Sequence, residues 1–123
     1  MNEIFILLIL FQVKHFLCDY PLQNAYMLGK FKKSGWELPL LSHSAVHGLY
    51  TFAITAGFTS NLLLSTVLAL LDTLIHFIVD RLKAHPDIGG RYTQDNPKFW
   101  WCLGADQMTH HLTHYLLIYL III

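Results

Sequence analysis

Histidine and aspartate residues recur at four-residue spacing inside four apolar segments, and this pattern constrains the fold more than any other feature of the chain. The sets are His15/Asp19, His43/His47, Asp72/His76/Asp80 and Asp106/His110. Residues i and i+4 share one face of an α-helix, so each set can coordinate one metal ion or bind one polar ligand. A carboxylate among Leu, Ile, Phe and Val is costly unless it is paired or bound to a cation. The pattern therefore predicts helices that enclose a buried polar site.

The composition predicts where such helices lie. The chain has 123 residues, of which 54% are hydrophobic and 13% charged, and its mean hydropathy is +0.46. The hydrophobic share is higher and the charged share lower than in soluble domains, as is typical of integral membrane proteins. A helix that crosses a bilayer takes about 17–25 residues, and four segments are that long or nearly so: Ile4–Asp19, Leu38–Phe58, Leu62–Leu82 and Phe99–Ile123. We predict an all-α, polytopic membrane protein, a bundle of four transmembrane helices in one domain over residues 1–123.

The basic residues predict an orientation in the lipid bilayer. Apart from Lys14, which interrupts the first segment, every Lys and Arg lies at or near one of two long connections, and the linker Gly57–Asn61 has none. The positive-inside rule then puts both basic connections in the cytoplasm and both termini outside, in a bacterial inner membrane. All four His/Asp sets are then expected in the cytoplasmic half of the membrane. The formal net charge is zero, which gives a nucleic-acid partner no electrostatic support.

The side chains in these sets are those of a metal site. Imidazole and carboxylate without thiolate suit Zn, Mn, Fe or Ni, and four-helix bundles build dinuclear sites from such groups on facing helices. The candidate metal ligands are His15, Asp19, His43, His47, His76, Asp80, Asp106 and His110. Eight ligands suffice for one or two divalent ions with positions left for water or substrate. They can also be completed across a homodimer interface.

Hydrolysis is the chemistry that such a site predicts, because a divalent metal lowers the pKa of coordinated water towards about 7. Asp72 is expected to orient His76 or to act as a general base. Gln23 and Gln107 are candidates for orienting water or substrate. Lys83 and Arg81 are candidates for binding a lipid head group or a phosphorylated substrate, although both also fit as ordinary membrane-boundary anchors.

Three other interpretations fit the same residues. A metal-ion or proton transporter would use the His and Asp side chains as a translocation path, which should extend through the full depth of the membrane. A phage-like membrane effector would need the polar core only for helix packing, without a metal. The run His110-His111-Leu-Thr-His114 is also similar to the histidine boxes of membrane di-iron oxygenases, but those enzymes have few aspartates.

The motifs also resemble those of a known family. They are His15-Phe-Leu-Cys-Asp19-Tyr-Pro-Leu-Gln23, Leu41-Ser-His43-Ser-Ala-Val-His47, His76-Phe-Ile-Val-Asp80-Arg-Leu-Lys83 and Asp106-Gln107-Met-Thr-His110. Taken in order, they resemble the bacterial and phage membrane family known as domain of unknown function 3307 over nearly the whole chain. The resemblance implies a membrane location and these residues as the site, but no reaction. A looser similarity in style links the chain to membrane-bound metal-dependent hydrolases.

Overall fold

Four long α-helices make up most of the protein, and the computed structural model describes residues 2–123. Helix α1 is Asn2–Asp19, α2 is Glu37–Thr59, α3 is Leu62–Ala84 and α4 is Pro97–Ile122; two short 3-10 helices, Met27–Phe31 and Gly89–Arg91, lie in the long connections. Within residues 2–123 there is no β-strand, so the all-α class and the four-helix bundle are confirmed. Each predicted segment differs from its helix by at most two residues at either end.

Local side-chain chemistry sets several of these helix ends. Asn61 Oδ1 accepts a hydrogen bond from the Leu64 backbone N–H at 2.9 Å, and Asn96 Oδ1 accepts one from the Lys98 N–H at 2.9 Å. Each bond satisfies an N–H group that the first turn of a helix leaves without a partner. Ser60, with φ of 52°, ends α2 in the left-handed conformation. Only two residues therefore join α2 to α3, and the two helices run antiparallel.

Helices α2 and α3 also form the most extensive helix pair, and a glycine permits their close approach. A Cβ atom on Gly48 would lie 2.9 Å from the Ala69 carbonyl oxygen and would overlap the Thr73 hydroxyl. No real side chain tolerates such contacts with a neighbouring backbone. Gly48 is therefore the position at which any larger residue would push α2 and α3 apart.

The interior of the bundle changes from apolar to polar along its length. Near the two-residue turn, Leu7, Phe11, Leu68, Leu117 and Ile118 form an apolar cluster. Towards the two long connections, the buried side chains are mainly His, Asp and Lys. The polar interior is therefore closed at one end by packed hydrocarbon.

The distribution of polarity between inside and outside is the reverse of that in a soluble protein. Among residues 2–123, sixteen polar or charged residues are buried, against nine hydrophobic ones. Large apolar side chains cover the outer faces of all four helices; Ile9 is 63% exposed, Leu49 69%, Leu63 76% and Leu112 55%. Water-soluble monomers rarely expose contiguous apolar surface on this scale.

Four membrane spans were predicted, and the structure gives narrower support than that. Among the described residues, one segment, Leu62–Arg91, which contains α3, is long and apolar enough to cross a membrane by length and composition alone. Core helices of soluble proteins pass the same criterion. The other three helices do not meet that criterion. The orientation with both termini outside stays a prediction.

Candidate metal centre

The predicted ligands gather at the end of the bundle that carries the long connections. They come from the last turns of α1 and α3, from the first half of α2 and from the middle of α4, so antiparallel packing brings the sets of all four helices to one level. Two groups of side chains there could each hold a metal ion, since their ligand atoms lie within 4.8 Å of one another. They are Asp19, His43 and His47, and Asp80, Asp106 and His110.

The first group is centred on the Asp19 carboxylate. Asp19 Oδ1 lies 2.9 Å from His47 Nε2 and 3.3 Å from His43 Nε2. Its other oxygen, Oδ2, lies 3.2 Å from His15 Nε2, which is also 2.9 Å from Gln107 Oε1. Asp19 thus receives imidazole nitrogens from its own helix and from α2. His15 borders the first group without belonging to it.

The second group joins α3 to α4. His110 Nε2 lies 2.9 Å from Asp80 Oδ1 and 3.1 Å from Asp106 Oδ1. All three residues are at most 4% exposed. Two carboxylates sharing one imidazole nitrogen in a dry interior need further positive charge close by.

His43 connects the two groups. Its Nε2 atom lies 3.3 Å from Asp19 Oδ1 and 3.2 Å from Asp80 Oδ2. Metal bonds of about 2.0–2.2 Å to nitrogen and oxygen place neighbouring donor atoms roughly 3 Å apart. The nitrogen-to-oxygen distances of 2.9–3.3 Å in both groups match that spacing. The residues present therefore fit one or two divalent ions, and His43 lies between the two groups.

His76 and Asp72 lie beneath the two groups. The His76 ring stacks between His47 and His110, with centroid distances of 3.8 and 4.1 Å. Its Nδ1 lies 2.9 Å from Asp72 Oδ1, while its Nε2 is buried without a hydrogen-bond partner among residues 2–123. A histidine whose Nδ1–H is held by a carboxylate presents Nε2 as a free acceptor. His76 belongs to neither three-residue group, but it is oriented as a ligand or a base would be.

Lysines supply the positive charge around the carboxylates. Lys30 Nζ lies 3.3 Å from Asp80 Oδ2, and Lys83 Nζ lies 3.0 Å from Asp106 Oδ2. A cavity of about 140 Å³ opens beside them; we call it the mouth cavity, and its polar lining is Asp19, Gln23, Lys30, Asp80, Lys83 and Gln107. The mouth cavity connects the carboxylates of both groups to the surroundings.

The remaining predicted site residues have different positions. Gln23 accepts a hydrogen bond from Lys30 Nζ at 2.8 Å, and Gln107 Nε2 donates to Asp106 Oδ2 at 3.0 Å. Arg81 does not face the carboxylates: its Nη1 donates to the Lys30 carbonyl at 3.0 Å, and its Cζ lies 3.9 Å from the centroid of the Trp36 ring. Arg81 therefore holds the connection between α1 and α2 against α3.

Two buried lysines were not predicted as parts of the interior. Lys14, 1% exposed, donates to Asp72 Oδ2 at 2.5 Å, and the Thr51 hydroxyl donates to the same oxygen at 2.5 Å. Lys30, 3% exposed, was expected in a basic surface loop. Lys14 does not interrupt α1, because its charge is paired inside the bundle. The sequence signal for a buried cation was Asp72 itself, a carboxylate among leucines and isoleucine that is costly inside the bundle unless a positive charge pairs with it.

Two histidines near the site contribute little to it. His114 is buried, and both its ring nitrogens lack a partner among residues 2–123. Its ring packs 5.3 Å from that of Phe11. His111 faces outward, and its Nδ1 lies 3.1 Å from Gln12 Nε2. The His-His-x-x-His run of α4 therefore does not act as one box.

Comparison with known proteins identifies a family and no more. Residues 6–123, nearly the whole chain, match the family described as protein of unknown function (DUF3307). No curated protein and no solved structure matches the chain. The four-helix bundle with its His/Asp groups thus belongs to a member of the DUF3307 family, whose function is unknown.

Proposed function

We propose that the protein is a membrane-embedded, metal-dependent hydrolase of phosphoesters or related esters. The observation that carries the proposal is the pair of His/Asp groups joined at His43, with donor spacings that suit coordination. Helix packing by hydrogen bonds between helices would need fewer buried polar groups than these. Six ligands from four helices at one level suit an ion that must stay in place while water and substrate reach it.

Charge balance supports both the metal and an anionic substrate. Three carboxylates, Asp19, Asp80 and Asp106, face two lysines, Lys30 and Lys83, so with neutral histidines and no bound cation the site carries excess negative charge. With one divalent ion, the positive charges outnumber the carboxylates by one, and a second ion raises the excess. A site of this kind attracts a phosphate monoester or diester.

The chain's own side chains suit the remaining parts of a hydrolytic reaction. When bound, the metal supplies a Lewis acid and lowers the pKa of neighbouring water. His76 Nε2, with Nδ1–H held by Asp72, is an acceptor for the proton that water releases on attack. Lys83, 24% exposed at its side chain, can contact a phosphate at the mouth cavity. Gln107 is positioned by Asp106 and can donate or accept a hydrogen bond there.

The membrane location rests on the reversed polarity of the bundle. Polar and charged side chains are buried, while large apolar side chains, mainly leucine, face outward on every helix. Surrounding hydrocarbon would make this exposed apolar surface favourable. The charged side chains inside the bundle would stay paired with one another, as described above. The long connections, which hold most basic residues, are then expected on the cytoplasmic side.

A transporter is the second candidate, because ionisable groups extend deeper than the metal groups, to Lys14 and Asp72. The apolar cluster of Leu7, Phe11 and Leu117 closes the bundle beyond them. A translocation path would need polar groups through that layer. Metal or proton flux into sealed proteoliposomes would establish transport, and its absence together with ester hydrolysis would support the enzyme.

Metal content, measured by elemental mass spectrometry on protein purified in detergent, tests the proposal. We expect one or two equivalents of Zn, Mn or Fe in the parent protein and a loss of at least one in His110→Ala. His111→Ala is the matched control, because His111 is adjacent in sequence but outside both groups. Iron would direct attention to oxygenase chemistry. A parent protein that binds no metal after reconstitution would contradict the proposal and favour a polar core for packing alone.

A further inference from the structure

An apolar groove leads from the outer face of the bundle to the candidate site. It lies between α3 and α4, has a volume of about 380 Å³, and is lined by Val79, Leu82, Ile88, Cys102, Ala105 and Thr109. Asp106 and Lys83 close its inner end. We call it the lateral groove. Its volume falls within the range of sites that bind small molecules, about 300–1,000 Å³.

Lys83 is common to the lateral groove and the mouth cavity. It lines both, and it also lines a neighbouring apolar cleft of about 270 Å³ whose walls include Phe31, Tyr92 and Phe99. The Lys83 ammonium group thus lies where two apolar spaces meet a space lined by carboxylates and Lys30. A ligand that occupied these spaces together would need an anionic head and a hydrocarbon tail.

We propose that the substrate is an anionic membrane lipid whose phosphate contacts Lys30 and Lys83 and whose hydrocarbon chain occupies the lateral groove. The proposal rests on the proposed function, since it names the substrate class of the same site. Two observations favour a lipid over a water-soluble phosphoester. Apart from Lys83, Asp106 and Thr109 the groove lining is apolar, and its outer residues, Leu82 and Ile88, are about half exposed and continue into the apolar outer surface. A lipid could therefore enter sideways from the bilayer without its chain crossing water.

Photo-crosslinking tests lipid binding independently of any turnover. The probe is phosphatidic acid with a photoactivatable diazirine in the middle of one acyl chain, supplied in mixed micelles. Mass spectrometry should find the main crosslinks in the α4 segment from Cys102 to Thr109. Ala105→Trp, which fills the groove from an exposed position, should abolish those crosslinks. Met108→Trp is the matched control, because Met108 is 58% exposed on the same helix and lies outside the groove.

The native cysteines provide a test without any substitution of the groove. Cys102 lines the lateral groove and is partly accessible, whereas Cys18 is fully buried, so maleimide should modify Cys102 selectively in the folded protein. Phosphatidic acid should slow that modification, and prior modification should prevent crosslinking. Because the protein is already folded when it is labelled, a folding defect cannot explain the result.

Activity then links the groove to the substrate. In Ala105→Trp, kcat/KM for phosphatidic acid should fall by at least about tenfold, while kcat/KM for p-nitrophenyl phosphate and the metal content stay unchanged. Crosslinks spread evenly over the outer faces, or equal losses for both substrates, would overturn the lipid proposal. If no metal binds and neither ester is hydrolysed, the proposed function fails, yet the crosslinking pattern still decides whether the groove holds a lipid chain.

Discussion

Removal of the Lys14 charge should destabilise the fold far more than removal of any exposed lysine. Lys14 and Asp72 are 1% and 0% exposed at their side chains and are 2.5 Å apart. In Lys14→Met, the Asp72 carboxylate keeps only Thr51 and His76 as partners. Breaking a buried ion pair from one side costs about 3–5 kcal/mol, because the other charge stays buried without compensation.

The double variant Lys14→Met/Asp72→Leu separates the loss of the pair from the presence of an unpaired charge. Replacing both partners with apolar residues is often nearly neutral, although Thr51 and His76 each lose an acceptor, at a cost of about 1–3 kcal/mol for each buried group. We therefore expect the double variant to lose less stability than the sum of the losses in Lys14→Met and Asp72→Leu, since each single variant also leaves a buried charge unpaired. Lys33→Met, on an exposed side chain, should change the free energy of unfolding by less than about 0.5 kcal/mol.

Reversible unfolding in mixed micelles with increasing sodium dodecyl sulfate, followed by circular dichroism, measures these differences. A double-mutant cycle gives the coupling energy between Lys14 and Asp72. The reasoning would be refuted if Lys14→Met cost less than about 1 kcal/mol, or if the double variant lost the sum of the two single losses.

Three further predictions concern packing, catalysis and metal binding. Gly48→Ala should lower the free energy of unfolding by about 1–3 kcal/mol through overpacking against α3, whereas Gly57→Ala, with open space around its Cβ, should be neutral or stabilising in the same micelle titration; equal effects would contradict the close approach. Asp72→Asn also leaves Lys14 without its anion, so it is assayed on the fraction that elutes as a folded species. That fraction should keep the metal but have a kcat about 10²–10⁴-fold lower, with Asp95→Asn in the second connection unchanged; loss of metal in folded Asp72→Asn would show that Asp72 acts as a ligand. A metal at 100 times its Kd should stabilise the fold by about 2.7 kcal/mol, so chelation should lower Tm more in the parent than in His110→Ala.

The sequence was sufficient for the helices and for the level of the site. Long apolar runs and the linker Gly57–Asn61 predicted the helix bounds to within two residues, because hydrophobic runs are a local property of the sequence. The i, i+4 spacing placed His15 with Asp19, and Asp106 with His110, on common helix faces. Loop positions then predicted that all sets would meet at one end, where the structure brings the two metal groups together.

Pairings between helices could not be predicted, because they depend on how each helix is rotated about its axis. His43 contacts carboxylates on α1 and α3 together, while His76 turns to Asp72 on its own helix and stays outside both groups. The burial of Lys14 and Lys30 could not be predicted for the same reason. A lysine near a helix end usually extends to the membrane surface, and only the packed structure reveals a buried carboxylate within its reach.

The most direct measurement is X-ray absorption spectroscopy at the metal edge on protein reconstituted with Zn²⁺. We predict a first shell of nitrogen and oxygen at about 2.0–2.2 Å with imidazole scattering behind it, and fewer imidazole ligands in His43→Ala, which removes the residue that joins Asp19 to Asp80. A shell containing sulfur at about 2.3 Å, or one of oxygen alone without imidazole scattering, would contradict a metal site built from these histidines and aspartates.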